Sequence, residues 1–73
     1  MTRSDIGQTL AGRLYAAESA IDAALIQTAR LAAYLPEARA QAYLSAVTGQ
    51  RAFEDTAQSV VALSEARGHI VRT

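Results

Sequence analysis

Apolar positions in the first half of the chain recur every seven residues. Leu14, Ile21, Thr28 and Leu35 form one row, and Leu10, Ala17, Ala24 and Leu31 form a second row interleaved by four and three. This is the a/d pattern of a helix that packs lengthwise against another helix. Ile6, Leu25 and Ile26 fall beside the rows and widen the apolar face beyond what one neighbour needs. In the second half, Ala38, Ala42, Ala46, Gly49, Phe53, Ala57, Val60, Leu63 and Arg67 step by three or four without interruption. Together the two patterns mark Leu10, Leu14, Ile21, Leu25, Leu31, Ala42, Ala46, Gly49, Phe53, Val60 and Leu63 as the expected packing and interface positions. Tyr43, Val47 and Val61 lie off the second seam and again call for a further contact surface.

Pro36 is the one strong breaker between the two patterns. Proline disfavours helical geometry at the residue before it, here Leu35, and is well placed as the first residue of a new helix. Glu37 beside it complements a helix N-terminus. The sequence therefore predicts a helix over about residues 5–34, capped by Ser4, and a second over about 36–71. The short link between them implies antiparallel neighbours. Thr48-Gly49-Gln50 is the weak point of the second helix. Read as continuous, with a possible kink at 48–50, it completes a long two-helix hairpin with its turn at Pro36. Read as a break at Gly49, it gives a three-helix bundle instead. The unbroken spacing favours the hairpin.

Composition fits an all-α single domain spanning residues 1–73 and adds a requirement. Alanine, the best helix former, supplies 17 of the 73 residues. It brings little area for the hydrophobic effect to act on, so the chain forms helices readily and fills a core poorly. Chains of this size gain only about 3–5 kcal/mol from one core and need a staple. With no cysteine, a disulfide is excluded. Self-association is the staple that remains, and the expected assembly is a homodimer of hairpins forming a four-helix bundle.

Charge narrows the partners. Seven arginines balance seven acidic residues, with three of each in the first 35 positions, so neither half attracts nucleic acid or an anionic membrane. The arginines at 3, 13, 30, 39, 51, 67 and 72 are scattered and show no basic stripe. The absence of lysine, with the alanine content, suggests a GC-rich bacterial coding sequence. The longest apolar run, Leu31–Leu35, is far short of the roughly 18 residues a membrane span requires. Gly7, Gln8 and Thr9 interrupt any signal-like stretch, so the expected location is cytoplasmic.

Candidate chemistry is sparse. Glu65 and His69 stand four apart and share a helix face, and two copies in a dimer could bring together two carboxylates and two imidazoles. The spacing differs from the Glu-x-x-His pairs of di-iron bundles, and a surface pair near a helix end is the commoner arrangement. His69-Ile70-Val71-Arg72 is similar over four residues to the phosphorylated segment of histidine phosphotransfer domains. That family places its histidine mid-bundle before lysine and glycine, whereas Arg72 and Thr73 follow here. Glu18 and Asp22, like charges four apart, read first as a solvated acidic patch, the alternative being an arginine from a partner subunit or from the second helix, such as Arg51. The four glycines are isolated and form no phosphate-binding loop. No nucleophile accompanies the single histidine, so no enzyme activity, cofactor or resident metal is expected. Three functions follow: a dimeric adaptor or small chaperone-like interaction module that takes a protein partner, an oligomerising part of a nucleic-acid-associated regulator or antitoxin, or a metal or phosphotransfer site at Glu65 and His69. The excess apolar surface favours the first.

Overall fold

A computed structural model describes residues 1–42 and 45–73 as two helices, α1 (Arg3–Ala42) and α2 (Ala46–Arg72). No strand occurs among the described residues, and the chain is all-α. Asp22 pairs with Arg67, and Gly49 lies under the Arg39 side chain. Residue i of α1 therefore faces roughly residue 89 − i of α2, which makes the hairpin antiparallel.

Helix α1 starts earlier than Ser4 suggests. Thr2 is the residue that closes its N-terminus: the Asp5 N–H donates to Thr2 Oγ1 at 3.1 Å, and the Thr2 N–H donates back to Asp5 Oδ2 at 3.1 Å. This reciprocal pair is a capping box with aspartate in the glutamate position, and it satisfies two end donors at once. Hydrogen bonds from the Thr2 N–H, and then from its hydroxyl, hold the Asp5 carboxyl below its ordinary range.

The predicted turn at Pro36 is not where the first helix ends. Proline 36 lies inside α1, which continues to Ala42. The local cost is a lost backbone hydrogen bond and crowding of the preceding turn. Packing outweighs it, because continuing the helix keeps Leu35 and Ala38 on the half-buried face. Ser45 also offers the better helix start. Its backbone is extended, with φ −62° and ψ 153°, and its side chain accepts from the Thr48 N–H at 3.1 Å. Nor does Thr48-Gly49-Gln50 break or end a helix; it forms part of the first turns of α2. Instead α1 is described as far as Ala42, and α2 follows its Ser45 cap. The expected position at Tyr43 and the side chain of Ala42 lie outside the described residues.

The arms are consequently unequal, 40 residues against 27. At 1.5 Å per residue α1 is about 60 Å long and outruns α2 by about 20 Å. The molecule measures 60 × 17 × 13 Å, and its first dozen or so residues have no α2 opposite them.

Between the helices the seam follows the predicted first row. Leu14, Ile21, Thr28 and Leu35 are all half-buried, with Ala17, Glu18, Ala24, Leu25 and Ala32 beside them. On α2 the seam runs through Gly49, Ala52, Thr56, Leu63, Arg67 and Ile70. Thr56 is the most enclosed side chain among the described residues, at 7% exposure, and its hydroxyl donates to the Ala52 carbonyl at 2.7 Å. Ala57, which the sequence spacing placed on the seam, is exposed. No hydrophobic side chain is fully buried among the described residues.

Candidate interaction surface

A functional site here has to be built from surface, because no hydrophobic side chain among the described residues is fully buried. Of the expected packing residues, Leu14, Ile21, Leu25 and Leu63 are half-buried between the helices, and Gly49 is buried. Leu10 and Leu31 stand 55% and 50% exposed, and Phe53 and Val60 lie at the edge of the seam, at 38% and 36%. Ala46 is exposed at the start of α2. Ile6, Ile26, Val61 and Val71 are each about half exposed. These residues are too many for scattered surface hydrophobics and lie along both flanks of the seam.

Among the described residues, one polar contact ties the arms together. Arg67 Nε donates to Asp22 Oδ1 at 2.7 Å, both side chains being nearly half exposed. The hydrogen bond that Arg67 donates to Asp22, the negative charge of Asp22, and the further charge of Glu18 raise the Arg67 pKa above its ordinary value. Asp22 thus meets Arg67, with Glu18 adding only its charge, whereas the sequence offered Arg51 as the example. The antiparallel register decides this, since residue 22 faces residue 67 and Arg51 lies nearer the turn.

Near the turn a shallow groove of about 220 Å³ is lined by Pro36, Arg39, Ala46, Gly49, Gln50 and Phe53. Gly49 is covered there by the aliphatic stem of Arg39, whose Cδ would lie 2.7 Å from an added Cβ. The groove is open, and polar and apolar atoms share its lining.

The remaining candidates stay apart. Glu65 and His69 are both exposed; His69 Nδ1 lies 3.3 Å from an Arg72 guanidinium nitrogen, and the Thr73 hydroxyl donates to the His69 carbonyl at 2.9 Å. Among the described residues, no three His, Asp or Glu side chains converge on a point that could hold a metal ion. Among the described residues, no helix is long and apolar enough to cross a membrane. Comparison with known protein families, curated protein sequences and solved structures finds no match to this chain.

Proposed function

We propose that this protein is a non-enzymatic helical interaction module that acts as a homodimer of hairpins. The observation that carries the reading is its surface. The single chain exposes 5708 Å², whereas a compact monomer of 7.7 kDa exposes about 4,300 Å² by the usual mass scaling. Its radius of gyration is 17.8 Å against roughly 11 Å for a globular domain of this length. The excess of about 1,400 Å² per chain, doubled, falls within the roughly 2,000–5,000 Å² that obligate dimers bury. Pairing two hairpins covers apolar flanks that neither can cover alone.

Sedimentation equilibrium across a wide concentration range, with helicity followed by circular dichroism on the same samples, tests this. The expected result is a dimer whose helicity falls on dilution, since folding and association are then one event. A fully helical monomer at all concentrations overturns the proposal.

A further inference from the structure

We infer that the second copy docks on the broad side of the hairpin that carries Leu10, Ala17, Ala20, Ala24 and Leu31. The two α1 helices then run antiparallel about a two-fold axis between Ala20 and Ala24. This rests on the proposed self-association and specifies its surface.

Area selects a lengthwise contact. A 60 × 17 Å side offers about 1,000 Å² before its relief is counted, and a 17 × 13 Å end only about 220 Å². A stable interface needs about 800 Å² from each partner, so only a full-length side suffices.

Charge selects which side. Successive residues turn by about 100°, which puts Asp22 and Glu18 on one flank of the Ile21–Leu25 seam and Ala20 and Ala24 on the other. Helix α1 spans Arg3–Ala42, so its midpoint falls beside Asp22. A two-fold axis on the acidic flank would bring Glu18 and Asp22 of both copies together and desolvate their pairs with Arg67, an arrangement whose cost can exceed its gain. The opposite flank has uncharged alanines at its centre, which let two helix axes come close.

Spacing then fixes the register. Along that flank Ile6, Leu10, Arg13, Ala17, Ala20, Ala24, in steps of four and three, lead on through Gln27 to Leu31, Tyr34 and Ala38. About an axis at the midpoint this row falls on itself, with Leu10 opposite the partner's Tyr34 and Ala20 opposite the partner's Ala24. The pairing also covers the stretch of α1 that α2 does not reach, where Ile6 and Leu10 are more than half exposed.

The test uses three variants of the full chain, which has no native cysteine. Ala20→Cys/Ala24→Cys should form a covalent dimer on mild oxidation. Ala20→Arg should weaken dimerisation by about 30-fold or more, because it buries two like charges near the axis. Gln58→Arg, at an exposed polar position of α2, should leave dimerisation within about threefold. A dimer that does not cross-link, and that Ala20→Arg weakens no more than Gln58→Arg does, overturns this surface while leaving self-association standing. A wild-type chain that is monomeric throughout removes the self-association reading and this inference with it.

Discussion

Replacing Pro36 by alanine separates two architectures that share nearly the same sequence pattern. If Pro36 opened the second helix, its fixed φ and missing N–H would suit the site, and Pro36→Ala would be neutral or mildly destabilising. In the structure Pro36 lies inside α1, with six more helical residues after it. An interior proline costs a helix about 3 kcal/mol relative to alanine. Alanine in its place frees the unfolded chain, which returns up to about 1 kcal/mol. The net expectation is a stabilisation of about 2 kcal/mol. For a chain of this size that raises Tm by roughly 8–16 °C. Thermal unfolding followed at 222 nm, with variant and wild type at equal chain concentration, reads it directly, since dimerisation makes Tm concentration-dependent. Helicity before the transition should not fall. An unchanged or lowered Tm would refute a continuous helix through residue 36.

Three further outcomes follow from the same structure. Gly12 has no atom near a prospective Cβ whereas Gly49 meets Arg39 Cδ at 2.7 Å, so Gly12→Ala should stabilise by about 1 kcal/mol and Gly49→Ala by clearly less; equal gains in urea unfolding would rule out the Arg39 contact. Because Asp5 titrates below its ordinary 3.8, the ionised cap contributes fully above that pH and is lost as pH falls through the lowered value. An NMR titration should find the Asp5 midpoint below 3.8 with fraying of the first turn over the same range, and a midpoint at or above 3.8 contradicts the capping box. Thr56→Val should be neutral or stabilising by up to about 1 kcal/mol, because the hydroxyl bonds only the Ala52 carbonyl of its own helix. A loss larger than that would mean the hydroxyl has a partner outside α2.

The sequence reveals the face of α1 and misplaces its end, for one physical reason in each case. Leu14, Ile21, Thr28 and Leu35 keep a strict seven-residue period, and a long helix has only one side on which such a row can pack. Pro36 stands out as a breaker, yet propensity is local and weak beside the packing of Leu35 and Ala38. The true start of α2 carries a quieter signal, a serine whose oxygen reaches the Thr48 N–H, in a stretch with neither proline nor glycine. The same holds at the N-terminus, where Thr2 and Asp5 cap each other and the nearer Ser4 attracts attention first. On α2 the step from Phe53 to Val60 passes equally well through Ala57 or Thr56. Polarity argues for Ala57, but the threonine hydroxyl is satisfied within its own helix and can sit inside. The Asp22–Arg67 pair depends on the register between the arms, which no spacing within one helix encodes.

The unequal arms have a consequence for how the chain meets proteases. In a single hairpin the first dozen residues of α1 are held only by their own backbone hydrogen bonds and the Thr2–Asp5 cap, and a lone helical stretch of that length is marginal in water. Arg13 sits near the inner limit of this stretch, an exposed site for a trypsin-like enzyme. Cleavage there would remove Ile6 and Leu10 and leave the two-helix body, with its Asp22–Arg67 tie, intact. The rate of that cut is therefore a clock for how much of the time the free end of α1 lies uncovered.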